Sequence, residues 1–217
     1  MTKPRLLDAF SGAGGCARGY QQAGFHVTGI DIKPQPRFSG DVFIQGDALE
    51  YIAEHGREFD AIHASPPCQA YSEATPLHHR ATLPELIAPT RELLIASGRP
   101  YVIENVENAR RHLINPVMLC GSMFGLAVWR HRYFEVSPMW FLAPSMCVHE
   151  GRPVSLHPGS NARKGRGGPT VIEAREAMGI DWMTGHELNE AIPPAYTFFI
   201  GTQIMAAIAW QRGEVAS

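Results

Sequence analysis

The chain has 217 residues, 45% of them hydrophobic, and a formal net charge of −2. This is an ordinary soluble composition with room for one full domain and a small appendage, and it excludes a basic nucleic-acid surface spread over the whole molecule, so any such contact must be local. No segment approaches the roughly 20 apolar residues of a membrane span, no apolar signal core opens the chain, and Cys16, Cys68, Cys120 and Cys147 form no CxxC pair, so a cytoplasmic protein in a reducing compartment is expected, without disulfides.

The elements follow in chain order. Arg5 to Phe10 reads as a short apolar strand, followed by the glycine-rich turn Ser11-Gly12-Ala13-Gly14-Gly15 and a helix to about Ala23. Strands over Val27 to Ile30 and Val42 to Gln45 close near Asp31 and Asp47, and a helix over Ala48 to His55 leads to the apolar run before Cys68. Leu83 to Ser97 has helical spacing, and Pro100 to Ile103 reads as a strand ending at Glu104-Asn105. Strands alternating with helices imply a parallel sheet covered on both faces, an α/β fold. From Val136 to Thr170 prolines and glycines leave room only for loops. Cys147, His149 and His157 fall here, but their spacing matches no standard metal site, so they are read as loop residues and no metal is expected. Helical periodicity returns at Val171 to Met178 and at Phe198 to Trp210.

A glycine turn after a first strand lets a cofactor approach the backbone, and an acid ending the next strand can bind a ribose hydroxyl pair. Asp8 to Gly15 and Asp31 supply both, and because the turn is not GxGxxG it favours an adenosyl cofactor such as S-adenosylmethionine over a dinucleotide. Phe10 is placed to stack on that cofactor and Asp47 to meet the adenine amino group; the plainer readings are core packing for Phe10 and helix capping for the two acids. In Ser65-Pro66-Pro67-Cys68-Gln69 two prolines fix the approach to one thiol at the end of a buried strand, which marks Cys68 as a candidate nucleophile.

Taken in order, Asp8 to Gly15, Ser65 to Gln69, Glu104-Asn105-Val106, Arg130-His131-Arg132 and Ile192-Pro193-Pro194-Ala195-Tyr196 through Gly201 resemble the DNA (cytosine-5) methyltransferases. The resemblance implies a class I methyltransferase domain over 1–136 plus 192–217, a target-recognition lobe over 137–191, S-adenosylmethionine as cofactor and DNA as partner, in the manner of restriction-modification enzymes. Cys68 would add to carbon 6 of cytosine, Glu104 would protonate ring nitrogen 3, and Arg132, with Arg130, would contact the base and lower the thiol pKa. The implied cofactor shell is Asp8, Phe10, Ser11, Gly12, Gly14, Gly15, Asp31, Ile32, Asp47, Ala48, Pro66 and Thr202, and the implied substrate contacts are Ser65, Pro67, Gln69, Ser72 and Asn105. Arg163, Lys164 and Arg166, in a glycine-rich loop, are candidate phosphate contacts or simply a solvated linker.

Two departures bear on this. The family reads Gly-Asn where this chain has Gly201-Thr202, which puts the cofactor contacts of Thr202 in question. The stretch from Val136 to Thr170 is also short for a lobe that reads base edges, so sequence selectivity is expected to be low. The same chemistry on RNA or a free cytosine nucleotide stays open, as does a catalytically silent nucleic-acid-binding module. His78, His79 and Arg80, beyond Ser72, are polar groups suited to closing over a base and its phosphate, or to an ordinary surface loop.

Overall fold

The computed structural model describes residues 2–69, 71, 84–138, 145–156 and 169–213. The elements are β1 (Arg5–Ala9), α1 (Gly15–Gln22), β2 (His26–Asp31), β3 (Val42–Gln45), α2 (Ala48–His55), β4 (Ala61–Ala64), α3 (Ile87–Ser97), β5 (Tyr101–Asn105), β6 (Val117–Leu119), β7 (Arg132–Ser137), α4 (Val171–Met178), α5 (Gly185–Glu190) and α6 (Pro194–Gln211). The strands form one seven-stranded sheet in the order β3-β2-β1-β4-β5-β7-β6.

Strand side chains alternate between two cores, as the two-residue period of a strand requires. Leu7, Ala9, Ile62, Ala64, Tyr101 and Ile103 pack on one face with Ile52 of α2 and Leu94 of α3. Leu6, Ala61, Val102 and Phe134 pack on the other with α1 and α6. Because both faces are covered, the central strands read as continuous apolar runs, which is why they were legible in the sequence. Helix α6 begins at Pro194, a residue suited to a first helical turn, and not at Phe198 as the periodicity suggested. It lies so close to α1 that a Cβ on Gly19 would run into the Pro194 carbonyl and the Thr197 hydroxyl. No helix among the described residues is long and apolar enough to cross a membrane.

The expected all-parallel sheet is corrected at one edge. Strands β1 to β5 pair in parallel, but β7 runs antiparallel to both β5 and β6. Strand β6 has three residues, too few to show a period, and in β7 a charge at Arg132 and another at Glu135 interrupt the apolar run. The edge is anchored by a buried ion pair: Arg91 of α3 donates through Nε to Glu135 Oε1 at 2.8 Å and through a terminal nitrogen to Oε2 at 2.7 Å. The Ile114 amide and the Tyr101 hydroxyl also donate to Glu135.

Helices α4 and α5 each begin with a capping box, Thr170 with Glu173 and Thr184 with Glu187. With Met178, Ile180, Met183 and Leu188 they build a third small core that takes in Ala13 of the glycine turn. Trp182 Nε1 donates to the Ala13 carbonyl at 2.9 Å, and Arg37 grips Glu187 with both oxygens of the carboxylate engaged. Burial does not win at Glu187: its hydrogen bonds from Arg37 hold the carboxyl down at about 2.

Candidate active site

Strands β1 and β4 are neighbours whose chain connections leave toward opposite faces of the sheet, β1 toward α1 and β4 toward the face carrying α3. Such a switch point opens a crevice at the carboxyl ends of the strands. Here the crevice measures about 460 Å³ and is lined from the β1, β2, β3, β4 and β5 ends and from residues 183 to 192.

Its first wall is the glycine turn. The Ser11 amide donates to the Ile30 carbonyl and the Gly14 amide to the Ser11 carbonyl, closing the turn against β2. Gly14 has φ +84°, and a Cβ there would overlap Ser39, whose hydroxyl donates to the Gly14 carbonyl at 2.6 Å. Asp31, at the end of β2, accepts from the Gly12 amide at 3.0 Å and the Lys33 amide at 2.9 Å, which ties the turn to the strand end. Asp47 caps α2 through Oδ1, accepting from the Leu49 and Glu50 amides, and also lines the crevice, so the capping reading and the lining reading both hold. Asp8 lies beneath the turn, 1% exposed, and neither carboxyl oxygen has a hydrogen-bond partner among the described residues. Burial pushes its pKa well up; the nearby Ala17 amide, too poorly aligned for a good hydrogen bond, pulls the other way, and Asp31 and Glu104 add to the push.

The second wall is the Ser65 to Gln69 loop. Asn105 at the end of β5 donates from Nδ2 to the Pro66 carbonyl at 2.9 Å, while its Oδ1 accepts from the Val106 amide, so β5 holds the loop that presents Cys68. The Ser65 amide donates to the Ala9 carbonyl, joining the loop to β1. Ser65 Oγ lies 2.9 Å from His63 Nε2, and His63 Nδ1 lies 2.9 Å from the Tyr20 hydroxyl. Burial takes His63 down to about 3, so this ring is a neutral strut at physiological pH.

Glu104 and Arg132 face the same space from β5 and β7. Arg132 Nε lies 3.0 Å from Glu104 Oε1, yet that oxygen accepts no well-aligned hydrogen bond, so the contact is an ion pair of poor direction. Burial raises the Glu104 pKa; Arg132, Ser65 and Arg130 oppose it without prevailing. Cys68 is half-buried, and the expectation of a lowered thiol pKa is not met. Burial raises it, the Glu104 carboxylate adds to the rise, and Arg132 pulls the other way.

Seventeen of the expected residues line the crevice: Asp8, Phe10, Ser11, Gly12, Gly15, Asp31, Ile32, Asp47, Ala48, Ser65, Pro66, Pro67, Cys68, Gln69, Glu104, Asn105 and Arg132. Gly14 shapes the turn from behind. Arg130 is held away from the lining: it donates to the Asn189 carbonyl at 2.6 Å, and its own carbonyl accepts from the Tyr196 hydroxyl at 2.6 Å. Burial and the neighbouring Arg132 push its guanidinium down to about 9, still cationic at neutral pH. Thr202 is not brought to the crevice. It is exposed on α6 with its hydroxyl on the Phe199 carbonyl, because Gly201 beside it serves the close packing of α6 on Tyr20 and Ala23. Ser72, His78, His79, Arg80, Arg163, Lys164 and Arg166 lie outside the described residues.

What sequence reasoning missed is the third wall, Met183, Glu187, Asn189, Glu190, Ala191 and Ile192. The Thr184 to Glu187 capping box marks a helix start, a signal the periodicity reading did not use, and nothing local says that the chain after it folds over the glycine turn. A Cβ on Gly15 would strike the Ile192 carbonyl, which shows how closely the two segments meet.

No protein-family model matches the sequence. Over 87 residues it is 37% identical to the Type II methyltransferase M.XorII of Xanthomonas oryzae pv. oryzae, an overlap of 33% of this chain and only 20% of that protein. Among solved structures, the Dnmt2 methyltransferase of S. pombe superposes with a TM-score of 0.64 at 14% identity, over 95% of this chain and 99% of that one. The Entamoeba histolytica methyltransferase EhMeth gives 0.64 at 14% identity over 96% and 99%. A putative DNA modification methyltransferase encoded within an E. coli prophage gives 0.59 at 15% over 94% and 99%. The fold is therefore the α/β, Rossmann-like fold of class I methyltransferases.

Proposed function

We propose that the protein is an S-adenosylmethionine-dependent DNA methyltransferase acting on carbon 5 of cytosine through a transient bond to Cys68. One observation carries the reading. A half-buried thiol, a buried carboxyl biased toward its acid form and an arginine against that carboxyl share one crevice with a glycine turn and a strand-end carboxylate. The likeness to M.XorII and to the solved methyltransferases supports it.

The lining residues fit the cofactor. Asp31 keeps free lone pairs for a ribose hydroxyl pair, and the orphaned buried carboxyl of Asp8 is a natural partner for a cationic group. Asn189 to Ile192, in place of Thr202, complete the cofactor side. When bound, S-adenosylmethionine supplies an electrophilic methyl group.

Cys68 reacts as the thiolate. Its proton passes to Glu104, which is already biased to accept one; the transfer removes the anion that holds the thiol up and leaves Arg132 as the nearby cation. The sulfur then adds to carbon 6 while Glu104 gives the proton to ring nitrogen 3, leaving an enamine nucleophilic at carbon 5. After methylation the carbon 5 proton leaves to solvent, the sulfur–carbon 6 bond breaks and nitrogen 3 returns its proton to Glu104. Asn105 acts by holding the Cys68 loop. Residues 1–136 with 192–217 form the catalytic unit in this reading, and 137–191 a small recognition lobe whose residues 183–191 also wall the crevice. A lobe this short predicts low sequence selectivity.

Incubation with methyl-labelled cofactor and separate duplex DNA, single-stranded DNA, RNA and dCMP tests this. Label recovered as 5-methylcytosine in DNA is expected. Label only in RNA or dCMP would redirect the substrate, and none in any acceptor would contradict the enzyme reading.

A further inference from the structure

Away from the crevice, four side chains turn their donor atoms toward one point. Cys120 directly follows β6, His131 directly precedes β7, and Cys147 and His149 come from the described segment 145–156; all four ligand atoms lie within 4.8 Å of one another. We infer that Cys120, His131, Cys147 and His149 form a structural zinc site. The inference stands apart from the reaction proposed above.

The spacing of the donors is that of a coordination shell. A tetrahedral zinc with Zn–S of about 2.3 Å and Zn–N of about 2.0–2.1 Å sets neighbouring donors about 3.4 Å apart for two nitrogens and about 3.6 Å for nitrogen and sulfur. Here His131 Nε2 and His149 Nε2 are 3.3 Å apart. The nitrogen–sulfur separations are 3.3 Å for His149 to Cys120, 3.5 Å for His131 to Cys147 and 3.0 Å for His149 to Cys147. A hydrogen-bonded cluster explains this poorly, since two imidazole nitrogens facing each other share at most one proton and thiols are weak donors. Two thiolates and two neutral imidazoles suit zinc in type and number, and they neutralise its charge on release of two thiol protons.

The groups around the four donors hold them in orientation. The Ser122 hydroxyl donates to Cys120 Sγ at 3.3 Å and lies 3.6 Å from Cys147 Sγ. The His149 ring stacks on Trp129, 4.2 Å away and nearly parallel, and on His131. With four protein ligands the site is closed, so its role is to hold structure. It ties the segment that leaves the sheet back to the β6–β7 edge, and it fixes His131 between Arg130 and Arg132, whose charges both act on Glu104. In the sequence only Cys147 stands near His149; the fold brings the other two ligands from the far side of β7. His157, the third residue weighed there, lies outside the described residues.

The test is metal content and coordination in the untagged full-length protein. After dialysis, elemental analysis should find about one zinc per chain, and replacement by cobalt should give the intense visible bands of tetrahedral coordination with thiolate charge transfer. Cys147→Ser and His149→Ala should each lose the metal, while Cys68→Ala keeps it. Should the ligand variants fail to fold, chelation of the unaltered protein should lower its melting temperature and added zinc should restore it. Absence of zinc with no tetrahedral cobalt spectrum on titration would overturn the inference, as would full metal retention in both ligand variants.

Discussion

Two buried glutamates sit on neighbouring strands, each against an arginine, and they are treated differently. Glu104 on β5 lies opposite Phe134 in the register, and Glu135 on β7 lies opposite Ile103, one rung away. Glu135 receives two donors from Arg91, the Ile114 amide and the Tyr101 hydroxyl. Glu104 has a poorly directed contact to Arg132 and a weaker contribution from Ser65, and burial still raises its pKa. A buried carboxylate with all its lone pairs engaged is part of the frame, whereas one left short of donors is poised to take up a proton. The chain places the second kind in the crevice and the first kind beside it.

Breaking the comparison should give effects in a definite order. Cys68→Ala should lower methyl transfer by more than about 10⁴-fold, because a nucleophile has no substitute, with the melting temperature nearly unchanged. Glu104→Gln should lower kcat by about 10²–10⁴-fold, the usual share of a general acid, without loss of stability. Glu135→Gln should do the reverse: it leaves Arg91 uncompensated and should cost about 3 kcal/mol of folding stability, a fall of about 6–12 °C in melting temperature by calorimetry. Equal kinetic and thermal responses in the two glutamine variants would dissolve the distinction between site and frame.

The pH dependence sharpens it further. A carboxyl raised in the fold binds more protons folded than unfolded, so Glu104 makes stability fall as pH rises from about 4.5 through its folded value. Denaturant melts of Glu104→Gln should show a flatter decline over that window. Glu187 has the opposite sign: its contribution is present above about 4.5 and lost as pH falls toward about 2. Because Arg37 is almost half exposed, Glu187→Gln should cost at most about 1 kcal/mol, the smallest effect of the set, and should remove that acid-side loss.

What the sequence disclosed was local. The β1 strand with its glycine turn, the Pro-Pro-Cys loop after β4 and the acid ending β5 are each encoded in a few adjacent residues, and the structure gathers all three in one crevice. The antiparallel β7 escaped because β6 is only three residues long and Glu135 interrupts the apolar run of β7. Residues 183–192 escaped because a helix-start signal says nothing about what the helix covers. Thr202 lies outside the crevice for a packing reason: the glycine before it is spent on contact with α1, which turns the threonine to solvent. The cysteine and histidine cluster was invisible because its members are spread from Cys120 to His149.

The central claim is that the Cys68 sulfur bonds to carbon 6 of cytosine. It is tested most directly by incubating the protein and S-adenosylmethionine with DNA containing 5-fluorocytosine, from which the adduct cannot eliminate, and mapping the denatured complex by mass spectrometry. The predicted result is a denaturant-stable adduct on the Cys68 peptide that is absent in Cys68→Ala. Methylation of ordinary cytosine by Cys68→Ala, or an adduct on any other residue, would contradict it.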